Sequence, residues 1–264
     1  MNQSAEDRID RFRGEYSFLS NFYGCKIIIQ TKDGQLTFWN AEAAFQAMKT
    51  TDFEERMKFC DIKNPVKAKG LGRKVKLRKD WDVIRVSVME YIVMEKFYQN
   101  GDLAQKLLDT GTKQLIEGNN HNDRFWGMIP VPVGDTDVWV GENHLGRILE
   151  LIRDFLRTQH PTGNDIEFKP YDRPPYYQSI DEFIEDQMLK VEKIETTLRD
   201  AGDDQRINDA VDLAWKYGGI DGDHHQKWLV DQMLRKMLTD KEYTEFVHDY
   251  EASGEYKWQT GIAP

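Results

Sequence analysis

The chain has 264 residues, a net charge of −10, and hydrophobic and charged fractions of 39% and 31%, a length that fits one or two domains. Its 13 Phe, 11 Tyr and 7 Trp exclude a fully disordered chain, because burying such side chains offsets the backbone entropy lost on folding. Ordinary counts of 19 Gly and 8 Pro exclude collagen-like and low-complexity classes.

The opening MNQSAEDRIDRFRGEY lacks the apolar core of a signal peptide, and apolar runs such as Ile27 to Ile29 are far too short to span a bilayer. Cys25 and Cys60 make neither a disulfide framework nor a metal-ligand spacing. A cytoplasmic protein with no membrane partner is expected. From Cys25 to Trp39 the pattern predicts two strands, with Asp33-Gly34 as the hairpin turn. Asn40 caps a helix that opens with Ala41, and a short helix follows over residues 51–59. Asn64 caps and Pro65 starts a third. The longest helix of the first half runs from Trp81 to Asn100, with Ile84, Val88, Tyr91, Ile92 and Phe97 at helical spacing. Gly101 ends it, Asp102 caps the next, and Gly111 closes that one. Residues 145–157 form another amphipathic helix, with Ile148, Leu149, Ile152, Phe155 and Leu156 on its inward face.

Charge divides the chain. Residues 1–157 carry 24 Lys+Arg against 23 Asp+Glu, and residues 158–264 carry 12 against 23, so the balance shifts from +1 to −11. Pro161, Pro170, Pro174 and Pro175 fall between the halves, where the missing donors and extended geometry that proline imposes predict a linker. The expected organisation is a first domain over 1–160, a Pro-rich linker over 161–178, and an acidic helical module over 179–264. Ser179 with Glu182 forms a capping box that opens the module, and Ile180, Ile184, Val191, Ile194 and Leu198 approximate a heptad stripe. Helices over 203–217, 223–239 and 241–251 complete a small bundle. One stretch of the first half is locally basic: Lys63, Lys67, Lys69, Arg73, Lys74, Lys76, Arg78 and Lys79, with no acid among them. It reads either as a solvated helix face or as a surface that draws phosphates, including those of nucleic acid.

Four clusters hold residue types that are costly to place without a purpose: GEYSFLSNF at 14–22, Glu42 followed by Lys49, the end of the basic run at Trp81, and NDRFWG at 122–127 followed by GENHLG at 141–146. Glu42 and Lys49 are seven apart, so on one helix they share a face two turns apart. Glu42 and Asp123 are carboxylates in aromatic-rich contexts, Trp39, Trp81, Phe125 and Trp126 can stack on a flat ring, and Lys and Arg can hold phosphate. Such a set fits hydrolysis at an anomeric carbon, where a carboxylate stabilises an oxocarbenium-like transition state and a second group protonates the leaving base or activates water. The opposing reading makes Glu42 a local cap or salt bridge and the tryptophans core.

The same residues carry a resemblance. Phe18-x-x-Asn21-Phe22, Glu42-x-x-Phe45-Gln46-Ala47-x-Lys49, Gly72-Arg73, Arg78-x-x-Trp81, Asp123-x-x-Trp126-Gly127 and Gly141-x-Asn143-x-Leu145-Gly146 occur in order from about Phe12 to Arg157. Together they resemble the NADAR (YbiA-like) family. The resemblance implies a mainly helical α+β fold with a small β element, and N-glycoside hydrolysis. Members of that family cleave phosphoribosylamino intermediates of riboflavin synthesis or remove ADP-ribose from guanine bases. It implies Glu42, Lys49 and Asp123 as catalytic groups. It further implies Asn21, Phe22, Phe45, Gln46, Arg73, Trp81, Trp126, Gly127 and Asn143 as residues that bind substrate or shape its pocket, with no cofactor and no metal. The expected partner is an ADP-ribose-containing or phosphoribosyl substrate. A non-catalytic binder of ADP-ribose or another NAD derivative would use the same pocket. Ala43 and Ala44 replace bulkier residues common in the family, and residues 128–140 form a longer segment than usual; both bear on substrate choice. Residues 205–264 resemble a short helical module of phage and prophage proteins. Asp221, Asp223, His224 and His225 read there as a turn and helix cap rather than a metal site, since adjacent histidines on a helix point about 100° apart. The module is expected to dock on a protein or to mediate oligomerisation, and a phage setting would make the enzyme a countermeasure to host ADP-ribosylation.

Overall fold

The computed structural model describes residues 7–133, 136–159, 177–200, 234–235 and 238–252. The chain divides into two compact units, Met1–Ile184 and Glu185–Pro264.

In the first unit the strands are short and paired in twos. β2 (Ile27–Thr31) and β3 (Gly34–Phe38) form an antiparallel hairpin in which Thr31 pairs with Gly34. The turn residues are therefore Lys32 and Asp33, one position earlier than expected. Gly34 takes the positive φ of 145° as the first residue of β3, and the Thr31 hydroxyl closes the turn by donating to the Gly34 carbonyl at 2.7 Å. β1 (Arg8–Ile9) lies parallel to β4 (Gln114–Leu115), a pair too short to leave any periodicity in the sequence. β5 (Ile129–Val133) and β6 (Thr136–Val140) form a second antiparallel hairpin. The IPVPV sequence of β5 gives up two backbone donors at Pro130 and Pro132, which hides it from a strand search.

The helices stand where caps and periodicity put them. Asn40 accepts from the Ala43 amide at 2.8 Å to open α1 (Ala41–Ala47). Asp52 opens α2 (Phe53–Met57), and Asn64, with Pro65, opens α3 (Pro65–Gly72). α4 (Trp81–Tyr98) is the spine. It packs against β2, α1, α5 (Gly101–Asp109) and α6 (His144–Gln159), and Ile84, Val88, Ile92 and Phe97 are buried along it. α5 starts one residue before the expected cap, so Asp102 lies in its first turn rather than at its cap, and Gly111 follows its end with φ 64°. Ile148, Leu149, Ile152 and Leu156 of α6 are buried, while Phe155 is half-buried against the Tyr98 ring, 6.1 Å away. The first unit extends to Ile184, taking in the start of α7 (Ile180–Asp200). Its capping residue Ser179 accepts from the Glu182 amide at 3.2 Å, and Ile180 and Ile184 are buried.

In the second unit the described parts are the rest of α7, with Val191 buried, residues 234–235 and 238–239, with Leu234 and Leu238 buried, and α8 (Asp240–Ala252), which Thr239 caps and in which Phe246 is buried. Most of the linker prolines' segment, the helix over 203–217, most of that over 223–239, and Asp221, Asp223, His224 and His225 lie outside the described residues. Among the described residues no helix is long and apolar enough to cross a membrane. The architecture is mainly helical with three small two-stranded sheets among the described residues.

The Asn40 side chain has a second bond, from its amide nitrogen to the Lys63 carbonyl at 3.1 Å, which ties α1 to the approach of α3. Asn40→Ala is expected to lower the unfolding free energy by about 1–2 kcal/mol in urea titration; no measurable change would show that the cap is idle.

Candidate active site

α1 is the floor of the site. Its first turn is pinned to the preceding loop by the Glu42 amide, which donates to the Asn21 carbonyl at 3.0 Å. That loop is held in turn by Lys96 of α4, whose Nζ donates to the carbonyls of Phe18 at 2.6 Å and Ser20 at 2.9 Å. The Glu42 side chain is buried, 6% exposed, and accepts at Oε1 from Gln46 Nε2 at 2.9 Å. α3 crosses α1 so closely here that a Cβ on Gly72 would fall 1.9 Å from Gln46 Oε1, so only glycine leaves room for the crossing.

Lys49 does not continue α1. The helix stops at Ala47, and the Lys49 amide donates to the Gln46 carbonyl in a tighter turn at 3.3 Å. The turn aims Nζ at two rings, 5.8 Å from the Trp81 centroid and 6.0 Å from that of Phe45. Phe45 in turn packs against Trp81 at 5.0 Å and edge-on against Trp126 at 5.4 Å. These three rings form one cage although they come from α1, the start of α4 and the loop before β5.

The third catalytic candidate shapes that loop. Asp123 Oδ1 accepts from the amides of Phe125 at 3.2 Å and Trp126 at 2.9 Å, an Asx turn that sets the Trp126 ring. Asn119 grips the same turn from below: its Oδ1 accepts from the Asp123 amide at 2.9 Å and its Nδ2 donates to the Asp123 carbonyl at 2.7 Å. Gly127 must be glycine, since a Cβ would meet the Glu117 carbonyl at 2.0 Å. Asn143, in the left-handed region at φ 53°, accepts from the Glu117 amide at 3.0 Å and donates to the Leu115 carbonyl at 2.8 Å. Its amide therefore braces the wall of the site. Asn21 donates to Met89 Sδ at 3.1 Å and keeps Oδ1 buried with no hydrogen-bond partner. Phe22 is 42% exposed and forms no ring pair with the cage.

The charges of the site act on one another. Burial pushes the Glu42 carboxyl upward; Gln46, Lys69 and Lys49 oppose the shift and Asp123 adds to it. Burial pushes Lys49 downward, Glu42 resists, and Lys69 and Arg73 push further in the same direction. The basic run therefore divides. Lys69 is half-buried and acts on Glu42 and Lys49, Arg73 is exposed but acts on Lys49, Arg78 is held by Asp80 at 2.6 Å, and Lys63, Lys67, Lys74, Lys76 and Lys79 are exposed.

Glu117 belongs to this set and was not among the expected residues. Burial and the Asp123 charge raise its carboxyl to about 7, against Lys96, Arg13 and Lys69, and its Oε2 is buried with no hydrogen-bond partner. A single glutamate in LIEGNN carries no periodic or motif signal; only the folding of β4 beside the 119–127 turn brings it near Asp123. Lys96, fully buried and pushed down to about 8 by desolvation, was missed for the same reason, since in sequence it is one more charge at the end of a long helix.

Buried carboxylates, a desolvated lysine and a cage of flat rings within a small mainly helical body are the parts of an enzyme that breaks a bond at a sugar carbon. The chain belongs to the NADAR domain family, whose profile matches residues 10–157. It is similar to the "Riboflavin biosynthesis protein VVA0006" of Vibrio vulnificus, with 38% identity over 58% of this chain and 39% of that one. It is also similar to the "N-glycosidase Npun_R5314" of Nostoc punctiforme, with 33% identity over 54% of this chain and 86% of that one. The "N-glycosidase YbiA" of Escherichia coli matches at 31% identity over 54% and 82% of the two chains.

The raised Glu117 has a consequence for stability. A carboxyl whose folded pKa lies above its unfolded value of 4.5 favours the fold below that value, and the benefit is lost as pH rises toward 7. Glu117→Gln removes the penalty of the buried charge. Its melting temperature relative to the native protein is expected to rise as pH is taken from below 4.5 to above 7, as scanning calorimetry would measure; a constant difference would contradict the raised carboxyl.

Proposed function

We propose that this protein hydrolyses the N-glycosidic bond between the ribose C1′ and a guanine base in ADP-ribosylated nucleic acid or nucleotide. The coarser statement, that residues 10–157 are an N-glycosidase domain and hence a hydrolase, rests on family membership and on relatives named as N-glycosidases. The observation that carries the finer reading is the cage of Phe45, Trp81 and Trp126, with Lys49 aimed at two of its rings and Asp123 setting the third, beside the buried Glu42 carboxylate, which acts on Lys49 and is acted on by it. The rings offer a stacking surface for the base. Lys69 and Arg73 offer positive charge beside Lys49 for the diphosphate, and the exposed lysines between Lys63 and Lys79 extend it toward a polyanionic backbone.

In the direct route the C1′–N bond breaks, the departing nitrogen takes a proton, and water adds its oxygen to C1′ while its own proton goes to a carboxylate. Glu42 faces the cationic sugar or takes that proton, and Asp123 orients a ribose hydroxyl or assists protonation of the departing nitrogen. A second route is favoured by one observation: burial, Lys69 and Arg73 all move Lys49 toward its neutral form. A neutral Nζ attacks C1′ of the opened sugar, displaces the amine of the base, and leaves an imine that water hydrolyses. The setting proposed for this activity is reversal of ADP-ribosylation imposed on phage nucleic acid by a host.

Glu42→Gln is expected to lower kcat by about 10²–10⁴-fold on DNA carrying ADP-ribosylated guanine; near-native turnover would remove Glu42 from the mechanism. Borohydride added during turnover is expected to leave a sugar adduct on Lys49 by mass spectrometry, and its absence would assign the direct route. A phosphoribosylaminopyrimidine turned over in preference to modified DNA would assign the protein instead to the phosphoribosylamino intermediates of riboflavin synthesis.

A further inference from the structure

Arg56 in α2 heads the fully buried side chains of the described residues by volume, at 1% exposure. A guanidinium has five donors and keeps its charge at any pH a folded protein meets, so it is buried only with partners. Its Nε donates to the Thr50 carbonyl at 2.8 Å. Both terminal nitrogens reach Asp181, at 3.2 Å each to Oδ1. Asp181 also accepts from the Lys32 amide in the β2–β3 turn at 3.0 Å. The carboxylate comes from the first turn of α7, beyond residue 157 where the NADAR profile ends, yet within the unit that runs to Ile184. Buried Ile180 and Ile184 flank it in α7, and Phe183 packs against Tyr91 of α4 at 5.3 Å.

The Thr50 carbonyl is one peptide from Lys49. Because α1 has ended, no continuing helical ladder fixes the Lys49–Thr50 main chain. The Lys49 and Thr50 amides reach back to the Gln46 and Ala47 carbonyls at 3.3 and 3.5 Å, and from outside this turn the segment is held at the Lys49 carbonyl by the Arg78 amide at 2.9 Å and at the Thr50 carbonyl by Arg56.

We propose that Asp181 is a positioning residue for the sugar-cleaving site: it neutralises buried Arg56, whose guanidinium holds the Thr50 carbonyl and with it the main chain that aims Lys49 at the cage. The role rests on the glycosidase reading of that site. It makes the segment after the linker part of the enzyme, since the family domain alone lacks the carboxylate.

The test uses the full chain and two variants. Asp181→Asn keeps the size and an acceptor oxygen but removes the charge. Arg56→Met with Asp181→Leu removes both charges, an exchange that buried ion pairs commonly tolerate, and leaves the Thr50 carbonyl without its donor. Competitive acetylation with acetic anhydride, read by mass spectrometry against exposed Lys113, reports the reactivity of Lys49 without any substrate. Both variants are expected to change Lys49 labelling several-fold. On the glycoside the native protein cleaves, kcat falls about 10- to 100-fold with KM little changed. A purely structural role predicts that the double variant, once folded, recovers native labelling and native kcat, and that result would overturn the proposal. If the native protein cleaves no glycoside, the glycosidase reading fails, and the labelling still decides whether Asp181 controls Lys49.

Discussion

Exclusion of water from Glu42 is the constraint on which the rest of the structure depends. The carboxylate sits on the first turn of a seven-residue helix whose side chains are all buried, under the crossing of α3 and beside the Phe45 ring. In that setting an unpaired charge is costly. Gln46 supplies one hydrogen bond, and Lys49 and Lys69 supply opposite charge. The same desolvation that raises Glu42 lowers Lys49, so one physical cause moves the acid and the amine toward their neutral forms.

The wall opposite α1 is made of turns rather than regular structure, and amide side chains take the place of a ladder. Asn119, Asp123 and Asn143 between them bond the Leu115 and Asp123 carbonyls and the amides of Glu117, Asp123, Phe125 and Trp126. This is why the loop before β5 can present Trp126 edge-on to Phe45 with little secondary structure of its own. Two glycines allow the close approaches that follow, Gly127 against the Glu117 carbonyl and Gly72 against Gln46. In both places the space is closed to any Cβ, so the glycine is there for room.

Beneath the site, buried cations act as struts. Lys96 gathers the carbonyls of Phe18 and Ser20, and Arg56 gathers that of Thr50 with Asp181 as its counter-charge. Each converts one end of a long flexible side chain into a fixed point for a loop carrying a candidate site residue. Neither strut lies within the site itself, and each holds in place a stretch of chain that does: the segment ending in Asn21 and the turn bearing Lys49.

Sequence alone determined what local chemistry controls. Caps at Asn40 and Asn64, the helical period of α4 and α6, and the hairpin of β2 and β3 all follow from contacts a few residues apart. The ordered motifs from Phe18 to Gly146 pointed to the family, and the choice of Glu42, Lys49 and Asp123 came from them. Tertiary structure decided what distance hides. It ended α1 before Lys49, joined β1 to β4 and formed the proline-containing hairpin of β5 and β6. It also turned Asn143 to the backbone, brought Glu117 beside Asp123, and set Asp181 against Arg56 across 125 residues of chain. The division is physical: a cap or a period is written in neighbours, whereas a pKa or a buried ion pair depends on what surrounds a group, and no stretch of sequence contains its own surroundings.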